Sequence, residues 1–483
     1  MNSAQKIVTR FAPSPTGFMH VGGVRTAIFA YLWAKKMGGV FILRIEDTDK
    51  AREVPGSREH IMESLTWLGV HWDQGPEIGG PHTPYIQSER LDIYRKYADM
   101  LIKSGHAYVD PMTEEEAETL RQQADAENRP FLYREHRKEN IESIPFTGIG
   151  QTLRFKITEV KKSYWHDVVF GDLSAGPEAL DDFVLIKSDG YPTYNFAHLV
   201  DDIEMEVTHV MRGQEFISST PKYLALYEAF GKEPPVFVSM PHILGDGGQK
   251  KLGKRDGAKD ILDYRTDGYL PQGLFNFLTF LGYNPGGEKE IYTEKELETI
   301  FDIERIQKGG AQFNDEKLDW MNKEHIKTLA RADKLTAVIE FLPESIKQAP
   351  HYNTEIISRA LETLTERVSK WSDITEMANA GELNWIVNDV TVDENKLAWK
   401  NSTLDEAKKH LGEVRALLET ISEENWNKDF IKDTIWPLTD TYGRGDVLWP
   451  LRFALTGMEK SPEPFTVMEI LGKERSIKRV SLF

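Results

Sequence analysis

Thr9-Arg10-Phe11-Ala12-Pro13-Ser14-Pro15-Thr16-Gly17, continued by Phe18-Met19-His20-Val21-Gly22-Gly23, is the stretch whose reading decides the fold. Ile7-Val8 supply a short apolar strand before it, Pro13 and Pro15 forbid regular helix, and Gly17 relieves the turn. Val24, Ala27, Ile28, Tyr31 and Leu32 then recur at helical spacing. The order is strand, tight turn, helix. Such a turn aims backbone N–H groups and the positive end of a helix dipole at one point, where a phosphate is a natural guest. His20, beside Gly22 and Gly23, adds an imidazole where the backbone can be approached closely. Taken alone, a single His-x-Gly is better read as an ordinary strand-turn-helix, so its meaning depends on the rest of the chain.

Outward from it, Val40-Phe41-Ile42-Leu43-Arg44-Ile45 reads as a second strand that runs at once into Glu46-Asp47-Thr48-Asp49. Strand, helix and strand at this spacing predict a parallel βαβ unit. Ligands of such sheets sit beyond the carboxyl ends of the strands, where Glu46 falls; Asp49 reads as a cap or solvated turn. Helices are predicted from Ser57 to Leu68, from His82 through Tyr94, Ala98 and Leu101, and from Thr113 to about Lys138. Thr152–Ile157, Trp165–Gly171 and Phe183–Ile186 read as strands of a mixed insertion. Asn195–Asp202 predicts a helix after a turn, and Thr208-His209-Val210-Met211 a buried strand ending on Arg212. Arg212 alone would be a surface ion pair; facing Glu46 across a crevice, the two suit a zwitterion.

Val236–Leu244 is a further strand, followed by a turn and by Lys250-Lys251-Leu252-Gly253-Lys254-Arg255-Asp256-Gly257-Ala258-Lys259, with five cations in ten residues. A charge run is usually a solvated loop. Two lysines three apart on a glycine-flexed loop can instead neutralise charge moving onto a leaving pyrophosphate. Gly273–Leu281 is an apolar helix, and from about His325 the chain reads as nearly all helix. Trp371, Trp385, Trp399, Trp426, Trp436 and Trp449 are expected mostly as core, and Ile470–Val480 as one basic amphipathic helix.

At 483 residues the chain exceeds a single core. No apolar run approaches the roughly 20 residues that span a bilayer. The opening motif lies so near Met1 that no signal peptide is expected, and a cytoplasmic protein without membrane association is. The absence of cysteine excludes disulfides, thiolate zinc sites and cysteine nucleophiles. The net charge of -18 argues against a dedicated polybasic nucleic-acid binder, though not against local basic patches.

Taken together, these segments resemble the class I aminoacyl-tRNA synthetases, and within them the bacterial-type glutamyl-tRNA synthetases. The opening stretch is similar to the family's HIGH region, Arg44-Ile45-Glu46-Asp47-Thr48-Asp49 to its second signature, and Tyr191-Pro192-Thr193-Tyr194-Asn195-Phe196-Ala197 with Val200-Asp201-Asp202 to a third. Lys251-Leu252-Gly253-Lys254-Arg255 is similar to the KMSKS loop. Leu451–Gly457 and Leu471–Arg475 are family-like too, so the resemblance covers essentially the whole chain in the family's order.

The resemblance implies an α/β fold: a Rossmann-type parallel-sheet catalytic domain (1–85 and 186–242) with an inserted α+β domain (86–185). A KMSKS-loop and stem-contact domain (243–329) and an all-α anticodon-binding region (330–483, subdivided near 390) follow. It implies ATP-dependent activation of glutamate to glutamyl-adenylate and transfer to the 3′-terminal adenosine of tRNA(Glu), releasing AMP and diphosphate. By position, Arg10, Ala12, Ser14, Glu46, Tyr194, His198 and Arg212 would hold glutamate. His20, Gly22, Gly23, Glu215, Leu244, Lys251 and Lys254 would surround ATP, with His20, Lys251 and Lys254 catalytic. Arg367 is the candidate anticodon contact. ATP would bring Mg²⁺; no protein-bound zinc is expected, and a monomer is.

Glutamate's carboxylate is already ionised near neutral pH, so adenylation needs positioning and charge stabilisation rather than a base. Glu46 suits the α-ammonium; Arg10 and Arg212 suit carboxylates, the assignment between them staying open. Gly23 stands where the HIGH region usually ends in His, and Gly253 where the loop usually has Ser. Ala12-Pro13-Ser14-Pro15-Thr16-Gly17 is the glutamyl form; glutaminyl enzymes typically read Pro-Pro-Glu-Pro-Asn-Gly there. The alternatives are a relaxed enzyme that also charges tRNA(Gln), and an inactive RNA-binding relative. Intact His20, Glu46, Arg212, Lys251 and Lys254 argue against the second.

Overall fold

The longer sheet-forming segments are, in chain order, β1 (Val8–Phe11), β2 (Val40–Leu43), β3 (Ala107–Val109), β4 (Leu153–Phe155), β5 (Ser163–Asp167), β6 (Gly171–Ala175), β7 (Val184–Ile186), β8 (His209–Gly213) and β9 (Val236–Met240); two two-residue strands, Ile243–Leu244 and Ala311–Gln312, pair parallel to each other. This is a computed structural model, which describes residues 6–139, 141–245, 248, 250–252 and 259–483. β1 and β2 run parallel, Val8 opposite Val40 and Phe11 opposite Leu43, with helix α1 (Val21–Lys36) crossing between them. The four residues of β2 are all buried, and α1 buries Val24, Ala27, Ile28, Ala30 and Leu32 completely. A strand apolar on both faces must be covered on both, which is the condition of a parallel α/β sheet.

The sheet continues on the far side of β1. Thr208 donates its backbone N–H to the Val8 carbonyl at 2.9 Å, placing β8 beside β1, and β9 runs parallel to β8 with Arg212 opposite Ser239. The hairpin β5–β6 joins the edge at Asp167 opposite Phe237. Asp167 is buried there and accepts from three backbone N–H groups, those of Val169, Phe170 and Ser239. The strand expected at 165–171 within the insertion thus belongs by hydrogen bonding to the sheet of β8 and β9. β3, β4 and β7 form a separate antiparallel sheet.

Two helix expectations are corrected. α2 (Ser57–Trp67) forms as read, but α3 (Leu91–Lys103) begins nine residues after His82. Tyr85 and Gln87 instead exchange backbone hydrogen bonds with Ile45 at 2.9 and 3.0 Å, so pairing with the exit of β2 outcompetes local helix. α4 (Glu114–Ala126) opens with a Thr113–Glu116 capping box and ends well before Lys138. α5 (Tyr194–Glu204) leads into β8, and α6 (Thr220–Ala229) connects β8 to β9. The geometry places the carboxyl ends of β1, β2 and β8 on one side, as the parallel order requires.

By contact density the chain divides into two compact units, residues 1–265 with 271–321, and residues 266–270 with 322–483. The second is helical. Its core packs Ile357, Leu361, Ile374, Leu411, Val414, Ile435 and Leu451 around the buried Trp371 and Trp385. Trp399, Trp426, Trp436 and Trp449 are only partly buried, so the expectation of a mostly core tryptophan set holds for the first two alone. The C-terminal helix is also two helices, Pro464–Leu471 and Lys473–Val480, broken at Gly472, whose φ of 81° is a left-handed conformation suited to glycine. No helix among the described residues is long and apolar enough to cross a membrane.

Candidate active site

The opening turn is bolted to the exit of β2. Arg44 donates its backbone N–H to the Phe11 carbonyl and Glu46 to the Pro13 carbonyl, both at 3.0 Å, while the Ser57 hydroxyl bonds the Gly17 carbonyl at 2.8 Å. His20 is the N-cap of α1: its Nδ1 accepts from the Gly22 N–H at 3.2 Å. That bond makes Nδ1 the acceptor and leaves Nε2 as the protonated nitrogen of the neutral ring. A Cβ at Gly22 would stand 3.1 Å from His20 Cε1, so glycine is what lets the imidazole fold back over the helix start.

A cavity of about 370 Å³ opens above these strand ends. Arg10, Ala12, Ser14, Glu46, Tyr194 and Arg212 line it, together with His20, Gly22, Gly23, Glu215 and Lys251. The structure therefore gathers eleven of the residues expected around glutamate and ATP. Leu244 does not line the cavity, although its neighbour Ile243 does. Lys254 and Gly253 lie outside the described residues. His198 is displaced from the lining: its ring packs behind Tyr194 at 4.8 Å and edge-on to Tyr223 at 4.6 Å between centroids. Arg367 belongs to the helical unit, where its guanidinium pairs with the Glu382 carboxylate.

Beneath the cavity lies a buried ionic network. Arg44, from the end of β2, donates to Glu46 Oε1 at 2.9 Å and to Asp202 Oδ1 at 2.8 Å. Arg10, from β1, grips both oxygens of Asp202 at 3.1 and 3.3 Å. Arg90 donates to Asp201 at 2.7 Å, and Gln87 and Tyr94 complete that carboxylate at 2.9 Å each. Burial raises the Asp202 pKa, but Arg10 and Arg44 overcome this and hold the carboxyl well below its ordinary value. Glu46, with only Arg44 bonded to it, is the reverse case: burial prevails over that guanidinium and pushes its pKa up. Both ends of α5 thus shape the site, through Tyr194 at its start and Asp201-Asp202 near its end.

Arg212 differs from the other guanidiniums. It is 7% exposed, stands 4.4 Å over the Tyr223 ring, and forms no ion pair among the described residues. Its Nη1 is buried without a hydrogen-bond partner. A buried, unsatisfied, charged donor beside a cavity calls for an anion. Also on the cavity lining, Lys251 Nζ donates to Glu215 Oε1 at 2.7 Å, with His242 Nδ1 3.8 Å from Glu215 Oε2. Burial raises the Glu215 pKa, and the Lys251 bond turns it below the ordinary range. Burial pushes His198 down to about 4, so this ring is neutral.

Sequence reading missed Arg25 and His242, which line the same cavity. Arg25 carried a usable signal: it is the one charged residue in an otherwise apolar run from Val21 to Leu32 apart from Thr26 and the glycines. The helical unit has its own cavity, of about 360 Å³, lined by Trp399, Trp436, Trp449, Lys432, Arg444 and Arg452. The Arg444 guanidinium lies 4.9 Å over the Trp436 ring, and a Cβ at Gly445 would collide with Trp399 Nε1 at 2.1 Å.

Residues 6–320 match the family model described as "tRNA synthetases class I (E and Q), catalytic domain", and residues 324–483 match "Anticodon binding domain". The chain is 41% identical to a glutamate--tRNA ligase of Clostridium botulinum, over 99% of this chain and 98% of that protein. It is 40% identical to the ligase of the same name from Clostridium tetani, with the same coverage. Among solved structures, a glutamate tRNA ligase from Elizabethkingia meningosepticum, crystallised in complex with its amino acid, superposes with a TM-score of 0.87 at 35% identity and 99% coverage of both chains. The glutamate-tRNA synthetase of Elizabethkingia anophelis gives 0.85 at 34%, again over 99% of each.

Proposed function

The chain belongs to the class I tRNA synthetases of the glutamate and glutamine group, and from that premise we infer that it attaches L-glutamate to tRNA through a glutamyl-adenylate, releasing AMP and diphosphate. The observation that carries the choice of glutamate is the charge balance beneath the cavity. Four guanidiniums, of Arg10, Arg44, Arg90 and Arg212, meet three carboxylates, of Glu46, Asp201 and Asp202, all buried. Within this cluster of seven groups one positive charge is left over, and it falls to Arg212, the one of the four with no carboxylate partner among the described residues. Glutamate, with two carboxylates and one ammonium, brings the missing negative charge; glutamine does not. Leaving a buried guanidinium unpaired costs about 3–5 kcal/mol, so the preference for glutamate is expected to lie between roughly 10² and a few times 10³-fold.

Arg212 takes the side-chain carboxylate in this reading, because Arg10 is already held in both arms by Asp202. Glu46 takes the α-ammonium, which offsets the burial that raises its pKa. The α-carboxylate then faces the nucleotide end. Its oxygen attacks the α-phosphorus in line, the new O–P bond forms, and the bond to the bridging oxygen of pyrophosphate breaks. His20 Nε2–H, the N-terminus of α1 and Lys251 are the donors placed for the charge that builds on the phosphates, each commonly worth about 10²–10³-fold in rate. Lys254 is proposed for the same task from its place in the sequence. In the second step a hydroxyl of the terminal adenosine attacks the carbonyl and AMP leaves.

Mg²⁺ fits as a companion of ATP. Glu215, a carboxylate on the cavity lining, would hold the ion together with the phosphates of ATP. Bound there, the ion would lower the charge on the departing pyrophosphate.

The tryptophan and arginine cavity of the helical unit suits an unstacked anticodon base. Aromatic faces hold a base by stacking, worth about 1–3 kcal/mol, and arginines reach its edge. Arg367 is proposed as a second anticodon contact, and the protein as a cytoplasmic monomer. Charging assays with purified tRNA(Glu) and tRNA(Gln), each with glutamate and glutamine, test the reading. Glutamate on tRNA(Glu) is the expected product; glutamate on both tRNAs would mark a relaxed enzyme, and no charging of either would end the proposal.

A further inference from the structure

Arg25 is the charged residue of the site that the scheme above leaves unused. It follows Gly22-Gly23 on α1, is 4% exposed, and lies on the wall of the active-site cavity. Its Nη2 donates to the Pro241 carbonyl and its Nη1 to the Leu281 carbonyl at 3.0 Å. Its Nε is buried with no partner, and it forms no ion pair among the described residues. Gly282 brings the backbone close: a Cβ there would stand 3.4 Å from Nη1. Pro241 begins a segment whose next residues, His242 and Ile243, also line the cavity, and the His242 carbonyl accepts from Ala311 N–H at 3.2 Å.

We propose that Arg25 is a positioning residue for the nucleotide, its two-armed grip setting the distance between the N-terminus of α1 and the Pro241–Ile243 wall while its uncompensated charge favours a polyanion between them. The grip joins three separate stretches, and both its acceptors are neutral carbonyls, so the positive charge is still available to the cavity. Burial lowers its pKa to about 10, with Glu215 opposing, so it is charged at neutral pH. Lysine keeps the charge but cannot span two carbonyls; methionine keeps the bulk and loses both.

This inference rests on the nucleotide-binding reading of the cavity. Arg25→Met and Arg25→Lys are compared in the full chain with tRNA(Glu) present. The readouts are the Michaelis constants for ATP and glutamate in charging, and the affinity for Mg·ATP by calorimetry. Arg25→Met is expected to weaken ATP at least tenfold in both readouts, with the glutamate constant within about twofold and Arg25→Lys in between. ATP affinity within about twofold of wild type in both variants would overturn the proposal, as would equal losses for glutamate and ATP that lysine does not lessen. If wild type binds Mg·ATP and the variants weaken it while no tRNA is charged, the assigned reaction fails and the role of Arg25 stands.

Discussion

His198→Phe offers a measurement that separates a buried packing ring from a ligand. The imidazole is 3% exposed, neither nitrogen has a hydrogen-bond partner, and Nδ1 stands 3.7 Å from Asp202 Oδ2, beyond hydrogen-bond length. Burial lowers its pKa from 6.5 to about 4. The sign follows from proton counting: between these values the unfolded chain binds a proton at this position and the folded one does not. Stability is thus untouched above pH 6.5 and falls as pH drops, the loss becoming complete near pH 4. At about 1.36 kcal/mol per pH unit over that window, the cost approaches ~3 kcal/mol. Phenylalanine keeps the ring contacts with Tyr194 and Tyr223 and has nothing to protonate. Denaturant unfolding of both proteins at several pH values between 7.5 and 4, compared as a difference, cancels the carboxylates they share. The variant is expected to match or exceed wild-type stability at pH 7.5, and to gain on it by about 3 kcal/mol toward pH 4. Its glutamate Michaelis constant at pH 7.5 is expected to stay within about threefold, because the ring does not line the cavity. A difference flat with pH would refute the buried neutral histidine.

Arg212→Met removes the surplus charge, and the Michaelis constant for glutamate is expected to rise by roughly 10²-fold or more while discrimination against glutamine shrinks; an unchanged constant would remove Arg212 from the scheme. Lys251→Ala breaks a half-exposed pair with Glu215, so stability should move by no more than about 1 kcal/mol while adenylate formation, read by pyrophosphate exchange with tRNA(Glu) present, drops about 10²–10³-fold. Asp202→Asn strips Arg10 and Arg44 of a shared carboxylate and is expected to destabilise the catalytic unit by about 3–5 kcal/mol in denaturant unfolding, a near-neutral result contradicting the network.

Much of the site was readable along the chain because its parts sit at strand ends. Arg10, Glu46 and Arg212 follow short apolar runs, and a parallel sheet delivers such residues to one crevice. The turn around His20 was legible for a similar reason, since Pro13, Pro15 and Gly17 leave the backbone few alternatives. His198 reads no differently from Tyr194, four residues before it on the same helix face, yet only Tyr194 reaches the cavity. The start of α3 was misread because pairing of Tyr85 and Gln87 with Ile45 involves residues about forty positions away, which local propensity cannot register.

Local chemistry by itself determined the βαβ entry, the alternation of buried strand and polar strand end, and the helical C-terminal half, because apolar periodicity and turn residues act over a few neighbours. Only the tertiary structure decided which charges are spoken for. Arg10, Arg44 and Arg90 meet Asp201, Asp202 and Glu46 across gaps of up to 192 residues, and no pattern in the chain says which guanidinium of this cluster will be left without a carboxylate. That choice falls to Arg212 because the fold surrounds it with the rings of Phe216, Tyr223 and Phe237 instead of carboxylates. Charge pairing in a buried network depends on distances of a few ångströms between distant segments, and those distances exist only once the sheet has closed.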